Sequence, residues 1–213
     1  MEENKMRLKA VVVGMVSTNC YIAANNETNE IIIIDPGDNA EVINENVQSM
    51  HGQVRGIILT HGHFDHIMAV NELAAQYHVK VYAHSIEKEL LADPGLNCSQ
   101  DIRRPYMVDL QETLEDNMTF TLAGFRIKVL HTPGHTEGSV CYLFEEEGML
   151  FSGDTIFMES VGRTDLPTGN ERKLLDSIQT KLMELGDDIK VFPGHGPSTS
   201  IGYEKRNNMF FGR

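Results

Sequence analysis

The chain has 213 residues, an apolar fraction of 41% and a formal net charge of −13. This length suits one good-sized domain, and the acidic balance disfavours nucleic acids and anionic membranes as partners. Three widely spaced cysteines indicate a reducing compartment, and neither a signal peptide nor a membrane-length apolar run is visible, so we predict one cytoplasmic domain over 1–213. The pattern carries no indication of oligomeric state.

Strand and helix signals alternate in the first half of the chain. Runs of β-branched residues predict strands over 8–16, 20–24, 31–35, 55–60 and 79–84. Apolar residues at helical spacing predict helices over 39–50, 66–77 and 85–92. Turn-forming DPG and RRP runs predict an irregular segment over 93–112.

The second half repeats this organisation. We predict strands over 118–123, 125–132, 139–145, 148–154 and 189–194, and helices over 170–185 and 198–209. No linker separates two domains. Strands with interspersed helices predict an α/β (α+β) fold in which helices cover the outer faces of the sheets.

The stretch GIILTHGHFDHI, residues 56–67, places His61, His63, Asp65 and His66 directly after an apolar strand. Four such groups desolvated together without a cation would be costly. Imidazole nitrogen and carboxylate oxygen are suitable ligands for zinc, iron or manganese. The stretch therefore predicts a metal site that is not of the cysteine-rich structural type.

Similar groups follow apolar runs further along the chain, next to glycines. They are His135 in LHTPGHTEGS, Asp154 in LFSGDT and His195 in VFPGHGP. Seven ligands exceed what one ion takes and suit two ions that share a carboxylate. We interpret the remaining histidines His51, His78 and His84 as loop or core residues. His131, on the strand before the TPGH turn, is either a packed residue or a partner of a ligand, and packing is favoured.

The motifs THGHFDH, TPGHTEGS, SGDT and PGHGP, in this order, resemble those of the metallo-β-lactamase superfamily. The similarity extends from DPG at 35 to the end of the chain and is greatest to small single-domain glyoxalase II-like hydrolases. It implies an αββα sandwich in which two mixed sheets are flanked by helices, with the metals at one edge.

The resemblance also implies a role for each ligand. His61, His63 and His135 would bind one metal, Asp65, His66 and His195 the second, and Asp154 would bridge them. The implied cofactors are two divalent ions, zinc as first choice and iron or manganese as alternatives. Asp35 is either a carboxylate that orients a ligand histidine or simply a turn-forming residue.

The implied activity is hydrolysis of a small-molecule thioester of the S-D-lactoylglutathione type by a hydroxide that bridges the metals. Asp65 would assist catalysis by accepting a hydrogen bond or a proton from it. Arg163 would either pair with a substrate carboxylate or brace its loop through Asp165. The thiol carrier stays open, because full-length glyoxalase II obtains much of its glutathione surface from an additional helical domain.

Other activities of the same superfamily compete with this interpretation. A persulfide dioxygenase would use one iron bound by two histidines and an aspartate, here His61 or an equivalent with His135 and Asp154. A nuclease, a phosphodiesterase or a lactonase is less favoured, the first two because of the acidic charge. Antibiotic hydrolysis is disfavoured, since secreted β-lactamases have a cysteine at the position of Asp154 and carry a signal peptide.

Overall fold

The architecture is described from a computed structural model, which covers residues 5–211. Residues 1–4 and 212–213 of the predicted 1–213 domain lie outside the described range. The first four belong to the N-terminal segment in which no signal peptide was predicted. Within that range, no helix is both long enough and apolar enough to cross a membrane.

The first sheet is built from the N-terminal half. Its strands, in spatial order, are β1 (Met6–Val13), β2 (Thr18–Asn25), β3 (Glu30–Ile34), β4 (Gln53–Ile58), β5 (Val81–His84) and β6 (Glu112–Leu114). The pairings β1–β2 and β2–β3 are antiparallel, whereas β3, β4, β5 and β6 run parallel. All eight residues of β2 are buried, because both faces of this sheet are covered.

The second sheet comes from the C-terminal half. Its strands are β7 (Thr119–Leu122), β8 (Phe125–His131), β9 (Val140–Phe144), β10 (Met149–Gly153), β13 (Lys190–Pro193) and β14 (Thr199–Ser200), in the spatial order β14-β13-β10-β9-β8-β7. Only β10 and β13 pair in parallel. A separate hairpin consists of β11 (Ile156–Phe157) and β12 (Ser160–Val161).

Helices lie against the outer face of each sheet. They are α1 (Ala40–Ser49), α2 (Phe64–Ile67), α3 (Val70–Tyr77), α4 (Glu87–Ala92), α5 (Glu171–Ser177) with a π-helical extension (Ile178–Leu182), and α6 (Ile201–Asn207). In α1, Ile43 and Val47 lie four residues apart on one face and are buried against the first sheet. The Asn170 side chain accepts a hydrogen bond from the backbone of Lys173 and thereby caps α5.

Three apolar clusters correspond to the three interfaces of an αββα sandwich. The cluster between the sheets contains large side chains from both halves, including Ile32, Ile58, Phe125 and Phe151. A second cluster joins the first sheet to α1 and α3, and a third joins the second sheet to α5 and α6. The predicted αββα sandwich with two mixed sheets is confirmed.

Some element boundaries differ from the predicted ones. The helix predicted over 66–77 is two helices, because the backbone N–H groups of Met68 and Ala69 donate to the carbonyls of Gly37 and Pro36. The predicted 198–209 helix is shorter, since its first residues pair with β13 as β14. The last residue of the predicted irregular segment, at 112, begins β6, and the β11–β12 hairpin was not predicted.

The ends of several central strands meet at one edge of the sandwich. Parallel β3 and β4 end just before Asp35 and the histidine turn, and parallel β10 and β13 end just before Asp154 and His195. The loop between β8 and β9 carries His135 to the same edge. Carboxyl ends of parallel strands are the usual location of binding sites in open α/β sheets.

Candidate metal centre

The seven predicted ligands converge at this edge, although they come from four separate segments of the chain. Their potential ligand atoms form three overlapping groups, within each of which they lie no more than 4.8 Å apart. The groups are His61, His63 and His135; His61, His66 and Asp154; and Asp65, His66 and His195.

Three imidazoles form the first half of the site. Nε2 of His135 lies 3.2 Å from Nε2 of His61 and 2.9 Å from Nδ1 of His63. The other ring nitrogen of His135 lies 2.7 Å from the carbonyl oxygen of Arg163, which can only accept a hydrogen bond. The proton of a neutral His135 is therefore on Nδ1, and the lone pair of Nε2 is directed at the other two histidines.

Two imidazoles and two carboxylates form the second half. Nε2 of His66 lies 3.5 Å from Oδ2 of Asp65 and 3.4 Å from Oδ1 of Asp154. Nε2 of His195 lies 3.1 Å and 3.5 Å from Oδ2 of the same two carboxylates, respectively. Asp154 also approaches His135 of the first half to 3.6 Å, so its carboxylate lies between the two halves.

These spacings fit bound cations better than they fit hydrogen bonds among the side chains. Charge-assisted hydrogen bonds are shorter than the 3.4 Å between His66 and Asp154. Two ligands about 2.1 Å from one tetrahedral ion, by contrast, lie about 3.4 Å apart. Nε2 of His66, Oδ1 of Asp154 and Nε2 of His63 are buried without any hydrogen-bonding partner, which is rare for buried polar atoms. The donor set therefore fits divalent metal ions.

Burial favours the neutral form of His61 and His63. Burial, together with His66 and His135, holds the pKa of His61 well below its usual range. Burial likewise lowers the pKa of His63 to about 3, with a further contribution from His135. Neutral imidazole is the form that binds a metal ion.

The second half carries the opposite electrostatics. Burial would raise the pKa of Asp154, but His66 and His195 hold it well below its usual range, and the same two histidines lower the pKa of Asp65. Burial opposes protonation of His195, yet Asp154 and Asp65 raise its pKa to about 9. Ionised carboxylates that attract protons onto neighbouring imidazoles would attract a divalent cation in their place.

Asp35 is hydrogen-bonded to a ligand histidine. Its Oδ2 accepts from Nδ1 of His66 at 3.0 Å and from the hydroxyl of Thr60 at 2.6 Å, and its Oδ1 accepts from the backbone N–H of Thr60 at 2.8 Å. With the His66 proton on Nδ1, the lone pair of Nε2 is directed at Asp65 and Asp154. Asp35 also directly follows β3 with φ of 50°, so the hydrogen bond to His66 and the turn occur together, and its role in orienting a metal ligand stays a prediction.

Two further residues support the ligand turns and were not identified from the sequence. The hydroxyl of Thr18 donates to Oδ2 of Asp65 at 3.0 Å. The backbone of Thr18 also forms an isolated antiparallel β-bridge with His195. Glu87 of α4 is fully buried and accepts hydrogen bonds from the turns that carry His61, His63 and His135. A glutamate in a short helix is usually exposed, so no local pattern distinguishes it.

A cleft of about 440 Å³ opens onto the ligands. Apolar side chains line much of it, including Val16, Phe64, Phe157 and Leu166. Arg163 also lines the cleft, and its guanidinium donates to both carboxylate oxygens of Asp165 at 2.7 Å. The loop brace is therefore present, and a contact between Arg163 and substrate stays a prediction.

The histidines interpreted as non-ligands lie outside the three ligand groups. His84 and His131 stack on each other, with ring centroids 4.2 Å apart and planes 11° apart. Nε2 of His131 lies 2.8 Å from the carbonyl oxygen of Glu137. His78 follows α3 in the left-handed region.

Comparison with known proteins agrees with this geometry. A family model described as the metallo-beta-lactamase superfamily matches residues 13–195. The hydroxyacylglutathione hydrolase GloC of Haemophilus influenzae is 34% identical over 96% of this chain and 98% of its own length. Relatives of comparable identity in Bacillus subtilis and Streptococcus pyogenes have only the general name of probable metallo-hydrolase.

Solved structures share both the fold and the chain length. A structure of the BLEG-1 B3 metallo-beta-lactamase is 39% identical, with a TM-score of 0.91, and the match covers 96% of this chain and 99% of that one. A structure of TTHA1623 in a di-iron-bound form is 33% identical, with a TM-score of 0.85 and coverage of 95% and 100%. The fold, the clustered histidines and aspartates and these matches lead to one conclusion: the chain belongs to the metallo-β-lactamase superfamily.

Proposed function

We propose that this protein is a dinuclear metallohydrolase that cleaves small-molecule thioesters of the hydroxyacylglutathione type. The observation that carries the proposal is the position of Asp154 beside an open cleft. Its carboxylate lies 3.4 Å from His66 and 3.5 Å from His195 of the second half and 3.6 Å from His135 of the first. The similarity to GloC supports the choice of thioester.

In the proposed site, one ion would be held by His61, His63 and His135, the other by Asp65, His66 and His195, and Asp154 would be shared. Two bound divalent ions supply an activated water molecule at neutral pH and an electrophile for a carbonyl oxygen. Zinc is the first candidate, and the di-iron form of TTHA1623 supports testing iron alongside it.

The side chains of the protein perform the remaining tasks. Asp65 is ionised, lines the cleft and is oriented by the Thr18 hydroxyl, so it accepts a hydrogen bond or a proton from the attacking water. Val16 and Phe157 exclude bulk water from one side of the cleft and contact apolar parts of the substrate. Arg163 is proposed to contact a substrate carboxylate when it leaves Asp165.

Hydrolysis of S-D-lactoylglutathione, followed by loss of thioester absorbance together with metal analysis, tests the proposal. We expect two ions per chain and turnover that Asp154→Asn abolishes. Asp116→Asn is a suitable control, because Asp116 pairs with Lys181 outside the donor set and its replacement should leave turnover unchanged. A fully metal-loaded wild-type protein that does not cleave the thioester would refute the proposed activity.

A second candidate substrate class is the β-lactams. The structure described as a B3 metallo-beta-lactamase is 39% identical to this chain. A protein this similar is therefore named for β-lactam hydrolysis, the activity that the sequence motifs disfavour. A nitrocefin assay on the same metal-loaded preparation, and oxygen uptake with glutathione persulfide for the dioxygenase alternative, separate the candidates. The reaction with the highest kcat/KM identifies the substrate class.

Three broader properties belong to the same proposal. We infer a cytoplasmic location, a single functional domain over 1–213 and a small-molecule substrate rather than nucleic acid or membrane. Size-exclusion chromatography of the metal-loaded chain would establish the oligomeric state.

A further inference from the structure

One buried carboxylate beside the metal centre is not among the seven proposed ligands. Glu87 begins α4, behind the histidine turn, and is 1% exposed. Burying a carboxylate is costly unless several hydrogen bonds compensate for the lost hydration. Its hydrogen-bonding partners therefore indicate what the side chain does.

Those partners are the two turns that carry the three histidines of the first half-site. Oε2 of Glu87 accepts from the backbone N–H of Gly62, the residue between His61 and His63, at 2.7 Å. Oε1 accepts from the Thr136 hydroxyl at 2.7 Å and from the backbone N–H of Gly138 at 2.9 Å. Thr136 directly follows His135, so one carboxylate joins a turn of the first sheet to a turn of the second.

The packing around this carboxylate is close on both sides. A Cβ atom at Gly138 would lie 2.7 Å from Oε1 of Glu87, and one at Gly62 would lie 3.1 Å from Oε2 and 2.7 Å from the Leu90 side chain. Glycine at these positions allows both turns to approach the same carboxylate. The distance between the two turns is therefore set by direct contact with Glu87.

We infer that Glu87 is a positioning residue that sets the spacing of His61 and His63 relative to His135 and so determines the affinity of the first metal site. The inference rests on the proposed ligand set and is independent of the substrate. Glu87 acts through the backbone of the turns, whereas Asp35 acts on the second site through the ring of His66. Asp35 also accepts from Thr60, whose hydroxyl lies 3.2 Å from Nδ1 of His61, whereas Glu87 is bonded to the turns on both sides of the first half-site.

Glu87→Gln tests this role with little change in side-chain shape. An amide retains one acceptor oxygen and replaces the other with an NH₂ donor. That donor faces either the N–H of Gly62 or the N–H of Gly138, so one turn loses its hydrogen bond and is repelled. Loss of a supporting contact of this kind typically weakens metal binding about 10–100-fold.

The measurement is zinc binding to the metal-free protein, by calorimetry in competition with a chelator, with cobalt absorption spectra as a report on ligand geometry. We expect Glu87→Gln to weaken one of the two ions and to alter the cobalt spectrum. Thr136→Val, which removes one of the three donors, should weaken the same ion to a smaller extent and covers the case in which Glu87→Gln does not fold.

Glu204→Gln is the matched control. Glu204 is fully buried and accepts hydrogen bonds from the backbone of Glu159 at 2.9 Å, from Asn208 at 2.8 Å and from the Thr199 hydroxyl, but from none of the ligand turns. Glu204→Gln should therefore lower the free energy of unfolding without changing the affinity for either metal ion. This difference separates a positioning role from a general loss of stability.

Combination with ligand variants assigns the affected ion. Glu87→Gln should have no further effect in a His61→Ala background, where the first site is already lost, but should still weaken binding in a His66→Ala background. Unchanged affinities in Glu87→Gln, or equal weakening of both ions, would overturn the inference. A wild-type protein that binds only one ion would instead refute the ligand set, and no arm of the experiment depends on thioester cleavage.

Discussion

Replacement of Asp35 by asparagine changes the hydrogen bonds of one buried carboxylate beside the candidate metal centre. Asparagine matches aspartate in shape and tolerates the left-handed backbone at this position, where φ is 50°. Oδ1 can still accept from the backbone of Thr60, but an NH₂ group replaces the oxygen that accepts from Nδ1 of His66 and from the Thr60 hydroxyl. The Thr60 hydroxyl can rotate to accept a hydrogen bond from the new NH₂ group, whereas the N–H of the His66 ring has a fixed direction and loses its acceptor.

The size of the effect follows from these contacts. One hydrogen bond to a charged acceptor is lost, which costs about 2 kcal/mol. In a protein of this size, that corresponds to a fall in Tm of about 4–8 °C. His66 can recover the bond only if its Nδ1 becomes the acceptor, which places the proton on Nε2, the atom proposed to bind metal. We therefore also expect affinity for the second ion to fall about 10–100-fold.

Thermal unfolding of the metal-free protein and zinc titration measure the two effects separately. Asp38→Asn is the matched control, since Asp38 lies three residues further along the same turn. Its carboxylate pairs with Arg104 at the surface, with 2.7 Å between Nη1 and Oδ2. Surface pairs of this kind contribute at most about 1 kcal/mol and do not orient a ligand, so Asp38→Asn should leave metal affinity unchanged.

Two results would refute this reasoning. If Asp35→Asn lowers neither the Tm nor the metal affinity more than Asp38→Asn does, the hydrogen bond to His66 does not determine the ring orientation. If Asp35→Asn weakens both ions equally, Asp35 acts on the whole turn rather than on one ligand.

Three further predictions concern separate parts of the molecule. His61→Ala should selectively weaken binding of the first ion, and His66→Ala binding of the second, measured as metal content after dialysis. Equal loss of both ions in each variant would show that the two sites are not separable. In a denaturant titration, Gly134→Ala should lower the free energy of unfolding by more than about 3 kcal/mol, because the added Cβ would lie 2.3 Å from the α5 backbone. Gly148→Ala is the control, since Gly148 is also at positive φ but has open space around it, and it should cost only about 1 kcal/mol. Burial opposes ionisation of Asp116, yet its hydrogen bonds lower its pKa in the folded protein. The stabilisation that Asp116→Asn removes is therefore present above the unfolded pKa and is lost as pH falls through the lowered folded pKa. A difference in unfolding free energy between wild type and Asp116→Asn that persists below that pH would contradict this.

The residue types and order of the candidate metal site were predictable from the sequence, because the chemistry is local. His61, His63, Asp65 and His66 occupy one turn after an apolar strand, and the later motifs place His135, Asp154 and His195 after apolar runs in the same way. Resemblance to a known family then provided their pairing into half-sites. The central strands were predictable for a related reason, since their β-branched runs are continuous in the chain.

The break in the helix predicted over 66–77 was not predictable from its own residues. The stretch has helical periodicity throughout, but the carbonyls of Pro36 and Gly37 accept the N–H groups of Met68 and Ala69. This competition arises only when the turn after β3 is packed beside the histidine turn. Tertiary hydrogen bonds here override the local preference.

Glu87 shows the same limit within the site. In sequence it is an acidic residue of a short helix, for which exposure is the usual expectation. Only the fold buries it between Gly62 and Gly138, which lie 25 and 51 residues away along the chain. The sequence by itself determined which groups could bind metal, because their chemistry depends on residue type. The tertiary structure decided which buried carboxylates support them, because those contacts join segments that are distant in the chain.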